Sequence, residues 1–472
     1  MILDFNYQDI SNNAVDYCIV GSGPAGLTLA MDLAKTGKKI IILEGGSLNW
    51  SKESADCYKG INQGDDYYDL DVCRLRFFGG TSNHWTGWCR NLDSSDFYSK
   101  NISGVNWQIN KADLDPYLDS ACKILEVDSQ FENKLLSKQF GVESQTFNFS
   151  PPVRFSKKYK HEIEQSKSIT LLVNANLTNF IFDSSKVQYA EIQSFSNKKT
   201  FVSANEFILA AGGIENSRLL LWINKINKEN LIHRNSPLGE YWMEHPVFYL
   251  GKAFVDRRWK DSYLGLNYLT RKKLGILNAG IRIEGIGDEG TTALIKDIMC
   301  VAPNLGKQIA SQFKKNLVCA AEIRGAWEQK PNKENSITIS NSEFDQFGIP
   351  RPILKWKKSK FDILTIRKTM QQVNAWIMHE NLGRFKYNQW VLDAESFPYS
   401  REMGGFHHMG GTRMGRDLID GVVDKNLKVF KKDNLHILGS SVFPTGGHAN
   451  PTLTIVQLAL RLSSHLKEKI LN

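Results

Sequence analysis

The chain has 472 residues and a formal net charge of +9, and 42% of its residues are hydrophobic and 23% charged. This composition is typical of a folded protein of about two or three domains. No apolar run approaches the ~20 residues of a membrane-spanning helix. A membrane span is therefore not predicted. The basic residues are not interleaved with aromatic ones, so a nucleic-acid-binding groove is not predicted either.

The N-terminal sequence and the cysteines bear on where the protein works. MILDFNYQDI lacks a basic region followed by an apolar core and a cleavage site, so no signal peptide is predicted. The seven cysteines are scattered and have no zinc-ligand spacing. We therefore predict reduced cysteines, a cytoplasmic location and no metal site.

The first recognisable unit is a strand, a glycine turn, a helix and a second strand. VDYCIV (15–20) is an apolar run, and GSGPAG (21–26) follows it directly. The next residues have helical periodicity up to Gly37, and KKIIILE (38–44) predicts the second strand. This order of elements is typical of a dinucleotide-binding fold.

The glycines of that turn stand in the G-x-G-x-x-G register. Gly21 permits the turn, Gly23 lets a pyrophosphate approach the helix N-terminus, and Gly26 allows close packing of helix on strand. Glu44 lies at the strand end, where an acid accepts hydrogen bonds from an adenosine ribose. The unit predicts a dinucleotide site that also includes Pro24 and Ala25, but it does not separate FAD from NAD.

Three later segments add to this pattern. LRFFGGTSNHWTGWCRNLDSSDF (75–97) is a glycine-hinged loop, and EFILAAGGIENSRLLL (206–221) predicts a strand, a glycine turn and a helix. NLHILGSSVFPTGGHANPTLTIVQLALRLSSHL (434–466) predicts a strand, a turn and a long helix. Together these segments resemble the glucose–methanol–choline family of FAD-dependent oxidoreductases, in particular the branch of pyranose oxidase and the sugar dehydrogenases.

The resemblance implies an α/β fold, in which a Rossmann-type, glutathione-reductase-like FAD domain is interleaved with an antiparallel-sheet substrate domain. Residues 168–212 read as successive strands, which predicts a meander before a parallel strand. The expected FAD domain combines residues 1–105, 165–245 and 405–472. The expected substrate domain combines residues 106–164 and 246–404.

The resemblance also implies which further residues contact the FAD. These are Gly80, Thr81, Asn83, His84, Trp85, Ala211, Gly212, Ser440, Ser441, His448, Asn450 and Thr452. In the pyranose-oxidase branch, the histidine of a Ser-x-His-Trp-Thr stretch carries the flavin covalently, and residues 82–86 match that spacing. Covalent attachment through His84 stays open, because a sequence does not show where the ring points.

The stretch GGFHHMGGTRMG (404–415) places two histidines together. In the family the base lies in an H-x-G-x-T type stretch, and a His or Asn follows in the turn before the last helix. His408 fits this pattern and His407 does not, so we predict His408 as the base and Asn450 as its partner. His448 is the rival base, and capping of the last helix is the alternative role for Asn450.

The implied activity is oxidation of a CH–OH group in a small polar, carbohydrate-like substrate. The base accepts the hydroxyl proton and hydride passes to flavin N5. A lyase or isomerase of the same fold, with no net redox change, is the alternative. The sequence gives neither the substrate, the electron acceptor nor the oligomeric state. His245, in MEHP, is expected to be structural.

Overall fold

The computed structural model describes residues 1–10, 14–98, 103–256, 262–285, 298–312, 319–393, 397 and 404–471. The helices, in chain order, are α1 Pro24–Leu33, α2 Lys52–Asp56, α3 Leu118–Leu125, α4 Phe155–Gln165, α5 Glu215–Ile226, α6 Tyr268–Leu274, α7 Pro303–Gln312, α8 Lys360–His379, α9 Gln389–Asp393 and α10 Pro451–Leu471. The strands are β1 Ile2–Asp4, β2 Val15–Val20, β3 Ile40–Leu43, β4 Ile61–Gly64, β5 Trp88–Cys89, β6 Asn133–Ser137, β7 Val142–Thr146, β8 Asn148–Phe149, β9 Ile169–Val173, β10 Asn176–Phe182, β11 Val187–Gln193, β12 Lys199–Leu209, β13 Val247–Val255, β14 Ser262–Leu266, β15 Ala279–Gly285, β16 Cys319–Trp327, β17 Ser336–Phe344, β18 Pro350–Trp356, β19 Gly383–Tyr387 and β20 Leu435–Ile437.

The larger sheet has the order β1-β9-β3-β2-β12-β11-β10, and β20 pairs with β12. Its first five strands and β20 run parallel, and β12, β11 and β10 run antiparallel. The long strand β12 serves both parts, because residues 199–203 pair with β11 and residues 204–209 pair with β2. The last strand of the meander expected from residues 168–212 is thus also the expected parallel strand. The α/β fold class predicted from the sequence is confirmed.

The parallel part of this sheet is buried on both faces. All residues of β3 are buried, as are the last four of β2, which explains their continuous apolar sequences. Helix α1 packs against α10, and α1 lies so close to β2 that a Cβ at Gly26 would overlap the Gly21 carbonyl oxygen. This packing fixes the N-terminus of α1 at the carboxyl end of β2.

The second sheet is antiparallel, with the order β19-β13-β16-β15-β14-β7-β6. One face packs on α8, where Ile366 and Met370 join Phe248, Ile323 and Trp327 in a buried core. In β16 the buried residues alternate with more exposed ones, as expected when a sheet has one covered face. The other face carries Val247 and Arg324, which border the cavity described below.

The strands of the two large sheets fall within the two sets of ranges expected for the two domains. Two helices differ from the expectation, because α3 and α4 were placed with the substrate domain. Helix α3 packs on α10 through Ala121, Cys122 and Leu125, and Phe155 of α4 also lies in the larger core. Their apolar faces pack on the nucleotide-binding side, which the resemblance used to place the boundaries did not reveal. The remaining boundaries stay predictions.

One cysteine pair also differs from the expectation. Cys300 and Cys319 form a disulfide, with a Cα–Cα distance of 6.1 Å, so the prediction that all cysteines are reduced is wrong for this pair. The fold brings the start of β16 beside the turn before α7, and this proximity is not visible in the sequence spacing. Cys18, Cys57, Cys73, Cys89 and Cys122 are free and buried. No helix in the described part of the chain is long and apolar enough to cross a membrane.

Candidate active site

A cavity of about 630 Å³ runs between the larger sheet and the antiparallel sheet. Its wall includes the glycine turn after β2, the end of β3, the loop before β5, the turn after β12, residues 404–408 and the first residues of α10. Its size and its mixture of apolar and polar lining are typical of small-molecule and cofactor sites. The segments selected from the sequence therefore border one space.

The glycine turn leaves room for a phosphate group at the N-terminus of α1. Gly21 has a φ of +107° and lies against Ala210, so a side chain has no space there. A Cβ at Gly23 would meet nothing within 4 Å, and Gly23 lines the cavity. No side chain caps α1, so its first N–H groups are available to an anion. These features fit the pyrophosphate of FAD.

Glu44 is held rigidly at the same end of the cavity. Its Oε2 accepts hydrogen bonds from the N–H (3.2 Å) and hydroxyl (2.5 Å) of Ser22, and Oε1 accepts from the Gly46 N–H (2.8 Å). Beside it, the Arg76 guanidinium donates to Asn176 Oδ1 (2.6 Å). A fixed, buried carboxylate on the cavity wall fits the ribose hydroxyls of an adenosine.

Most predicted cofactor contacts line the cavity. They are Gly21, Gly23, Pro24, Ala25, Glu44, Gly80, Thr81, His84, Trp85, Ala211, Gly212, Ser440, Asn450 and Thr452. The structure places four others behind the wall.

Those four residues have structural neighbours instead. Gly26 packs on Gly21, and Asn83 Nδ2 donates to the carbonyl oxygens of Phe78 (2.9 Å) and Gly80 (3.0 Å). The Ser441 hydroxyl accepts from Asn216 Nδ2 (2.9 Å). The buried ring of His448 contacts Phe147 and Tyr263. These residues support the wall rather than form it.

His84 borders the cavity in the loop before β5. Its ring stacks on Phe406, with 6.5 Å between ring centroids. Partial burial, together with the charge of Arg154, lowers the pKa of His84. The adjacent Trp85 is anchored by its indole N–H, which donates to the Val153 carbonyl oxygen (2.7 Å). The imidazole is therefore neutral at pH 7 and is carried by an anchored loop.

The loop of residues 404–412 enters the site because it pairs with the segment before β13. Met243 and Met409 exchange backbone hydrogen bonds of 2.8 and 3.0 Å. Gly410 and Gly411 have φ values of +75° and +93°, and a Cβ at either would overlap Tyr241 or Ser217. The glycines flanking the two histidines therefore allow close packing, which brings His407 beside His245.

The pairing expected between His408 and Asn450 is not the one that the structure contains. His407 Nε2 lies 3.0 Å from Asn450 Nδ2, whereas His408 Nε2 lies 2.9 Å from the Tyr67 hydroxyl. Our expectation assumed an extended approach to the two histidines. Phe406 instead has a φ of +59°, and this left-handed residue turns the chain so that His407 faces Asn450.

The hydrogen bonds of His245 fix the tautomer of His407. His245 Nε2–H donates to the Gly447 carbonyl oxygen (2.7 Å), so in the neutral ring Nδ1 is an acceptor. That atom lies 2.8 Å from His407 Nδ1, which must therefore carry the hydrogen. His407 Nε2 is left with a lone pair that accepts from the Asn450 amide. This basic nitrogen thus lies beside Asn450, a residue of the cavity wall.

Burial keeps both rings neutral. It lowers the pKa of His245 to about 4. The pKa of His407 is also well below its usual value, first through burial and then through the neighbouring His245 and His408. Because both histidines are uncharged near pH 7, the tautomers assigned from the hydrogen bonds apply there.

His408 is bonded into the protein interior. The Tyr67 hydroxyl donates to Glu244 Oε2 (2.5 Å), so its oxygen accepts from His408 Nε2–H. Burial, with a smaller contribution from the charge of Arg74, lowers the pKa of His408 to about 3. The ring also borders the cavity, but its Nε2 is used in this internal bond.

Glu244 links the two histidine segments. Its Oε1 accepts from the backbone N–H groups of His245 and His407, each at 2.8 Å. Burial raises the pKa of this carboxyl to about 7. Sequence reasoning missed the roles of Tyr67 and Glu244, and it gave His245 only a structural role. The available signal was MEHP, which places an acid and a histidine side by side directly before β13.

Two family models match the chain. Residues 331–459 match the model described as GMC oxidoreductase, and residues 16–66 match that of an FAD binding domain. The first match includes the loop with His407 and the start of α10, and the second includes the glycine turn and Glu44.

Two curated relatives and a solved structure cover nearly the whole chain, and a third relative covers part of it. The fructose dehydrogenase large subunit of Gluconobacter japonicus is 21% identical over 95% of this chain and 97% of its own length. The 2-methyl-1,2-propanediol dehydrogenase of Mycolicibacterium austroafricanum is 21% identical over 97% and 96%. Pyranose 2-oxidase of Lyophyllum shimeji is 23% identical over 63% of this chain and 51% of its own. The crystal structure of pyridoxine 4-oxidase from Mesorbium loti has the same fold, with a TM-score of 0.61, 15% identity and coverage of 97% of this chain and 99% of that one. With the FAD-binding-domain match at one end of the cavity and the GMC oxidoreductase match at the other, the resemblance of this chain to the glucose–methanol–choline (GMC) family of FAD-dependent oxidoreductases is confirmed.

Proposed function

We propose that this protein oxidises a CH–OH group of a small polar, carbohydrate-like substrate and that His407 is the base. The observation that carries the proposal is the position of His407 Nε2, which lies 3.0 Å from Asn450 Nδ2 on the cavity wall. The tautomer assigned above gives this nitrogen the lone pair of the ring. The names of three relatives, for a fructose dehydrogenase, a propanediol dehydrogenase and a pyranose oxidase, support an alcohol or sugar as substrate.

The residues present fit FAD along the length of the cavity. Gly23 and the first turn of α1 would hold the pyrophosphate, and Glu44 would hold the ribose. The N-terminus of α10, which begins at Pro451, would stabilise negative charge on the flavin ring. When bound, FAD supplies the acceptor for the hydride that leaves the alcohol carbon.

His407 would take the proton of the substrate hydroxyl. A hydroxyl that inserts between His407 and Asn450 can donate to Nε2 and accept from the Asn450 amide N–H. Transfer of the proton to Nε2 leaves a negative oxygen, which the amide stabilises. His407 Nε2 has its lone pair beside Asn450, whereas His408 Nε2 is bonded to the Tyr67 hydroxyl, so His407 is the better placed of the two for this step.

His245 and Glu244 would act as positioning residues behind the base. Once Nε2 is protonated, His407 Nδ1–H still donates to His245 Nδ1, so the ring keeps its orientation. The Glu244 carboxyl, which accepts the backbone N–H groups of both histidines, lies close enough to favour the positive ring when it is ionised.

Anaerobic titration of the FAD-loaded protein tests the proposal. A panel of alcohols, sugars and aminocyclitols is added while the flavin absorbance is followed, and at least one member should bleach it. Consumption of a compound with the flavin still oxidised would instead establish the lyase or isomerase alternative. Admission of air after bleaching then separates an oxidase, which recovers its colour quickly, from a dehydrogenase.

A further inference from the structure

The substrate end of the cavity is roofed by the open face of the antiparallel sheet. Val247 is opposite Ala326 on the neighbouring strand, and Ala326 is opposite Gly280. Because alternate residues of a strand share a face, the next row on this face consists of Tyr249, Arg324 and Arg282. The face therefore has a row of small residues followed by a row with two arginines.

The row that begins at Val247 lies next to the proposed base. Val247 follows His245 by two residues and borders the cavity, whereas Gly280 is covered by Tyr263 and His448, which a Cβ there would meet at 2.8 and 2.9 Å. The arginine row lies about 7 Å further along the strands. A substrate of the size of a sugar ring could therefore reach from His407 to this row.

The arginines lie between the cavity and a third row that contains Glu284 and Glu322. Glu284 Oε1 is 3.1 Å from Arg282 Nη1 and 3.9 Å from Arg324 Nη1. The Arg282 guanidinium also lies 4.4 Å from the ring centre of Trp88. Arg324 is the one of these four charged side chains that borders the cavity. Glu284 thus contacts both guanidinium groups from the side away from the cavity.

The charge of the cavity wall differs between its ends. Glu215, Arg218 and Asp345 form buried ion pairs near the nucleotide end, and Glu44 and Arg76 also lie at that end. At the substrate end, Arg324 is the one charged side chain among the described residues that line the cavity. A partly exposed guanidinium is a preferred partner for a carboxylate or phosphate.

We propose that Arg324 binds an anionic group of the substrate, so that the preferred substrates are hydroxy acids or phosphorylated alcohols of sugar-like size. This inference rests on the proposed function and narrows its substrate class. The formal net charge of +9 agrees with it, since a positive surface raises the rate at which anions arrive.

Matched pyranoses test the inference. The initial rate of anaerobic flavin reduction is measured with D-glucose, D-glucuronate and D-glucose 6-phosphate, which differ at one carbon, and with the smaller pair glycerol and D-glycerate. At least one charged compound should react about tenfold faster or more, per unit concentration, than its neutral counterpart. The carboxylate and phosphate arms identify which anion fits. If D-glucose and glycerol each react as fast as their charged counterparts or faster, the inference is overturned and the proposed function stays intact. The absence of bleaching with any compound would count against the proposed function itself.

A variant pair locates the effect. Arg324→Gln should lower the rate with the charged compound by about 10- to 100-fold and change the rate with its neutral counterpart by less than about threefold. Arg384→Gln, which removes the same charge from an exposed position on β19, should leave the preference unchanged. If Arg324→Gln does not fold, the salt dependence of the wild-type protein serves instead. The rate with the charged compound should fall as ionic strength rises, and a flat profile would contradict the inference.

Discussion

The two ends of the cavity are built in different ways. At the nucleotide end, the part of the wall that fits the pyrophosphate is backbone from one short stretch, in which Gly21 and Gly23 expose the first N–H groups of α1. At the substrate end, the wall is made of side chains from distant segments, and His245, His407 and Asn450 form one hydrogen-bonded chain. A backbone site is encoded locally, whereas a side-chain site depends on how remote segments meet. A substitution at one end of the cavity should therefore leave the other end intact.

The largest effect is expected at the substrate end. His407→Ala should slow flavin reduction by about 10²- to 10⁴-fold, because it removes a positioned base, while FAD stays bound. His408→Ala is the matched control and should have a much smaller effect, since His408 Nε2 is bonded to Tyr67. Stopped-flow reduction of both variants decides between them, and a larger loss in His408→Ala would refute the choice of His407.

At the nucleotide end, Gly23→Ala should weaken FAD binding by about 10- to 100-fold, because its methyl group occupies the space that the pyrophosphate needs. The apoprotein should keep its melting temperature, since a Cβ there meets nothing within 4 Å. In contrast, Gly26→Ala should lower the melting temperature itself, because its Cβ would overlap Gly21. Calorimetric titration with FAD provides the measurement, and unchanged affinity in Gly23→Ala would contradict this picture of the turn.

The dependence of kcat/KM on pH tests the role of Glu244, the acid behind His245 and His407. Since burial raises the pKa of Glu244 to about 7, the carboxyl is neutral below that pH and negative above it. Negative charge near His407 favours its protonated form, so kcat/KM should rise with pH through about 7, by about tenfold. Glu244→Gln should remain at the low-pH level throughout. A variant that retains the rise would assign the ionisation to another group.

The smallest effect on rate is expected at His84, in the loop that joins the two ends. Its lowered pKa leaves the ring neutral at pH 7, as covalent attachment to the flavin requires. We expect a yellow pellet when the wild-type protein is precipitated with acid, and a colourless pellet from His84→Ala. That variant should keep FAD in the native state and lose no more than about tenfold in reduction rate, because the proposed base is untouched. A yellow wild-type supernatant would exclude the covalent bond.

Local patterns were sufficient for much of the architecture. The apolar runs 15–20 and 38–44 became β2 and β3, and the last helix begins at Pro451 as its sequence indicates. The resemblance to GMC oxidoreductases and the FAD cofactor are likewise confirmed. These features depend on residues close together in the chain, because strand burial, glycine turns and helix starts are set by neighbours within a few positions.

The tertiary structure decided what short patterns could not. The contact of His407 with His245 joins residues 162 positions apart, and that with Asn450 spans 43. Which histidine faces Asn450 depends on the left-handed φ of Phe406 and on the packing of Gly410 and Gly411. The sequence by itself predicted a dinucleotide site at residues 21–26, which lies inside the match to an FAD binding domain, and it singled out His407, His408 and His448 as candidate bases. Only the packing of the remote segments decided which ring has its lone-pair nitrogen beside Asn450, because a tautomer depends on hydrogen-bond partners that the fold brings together.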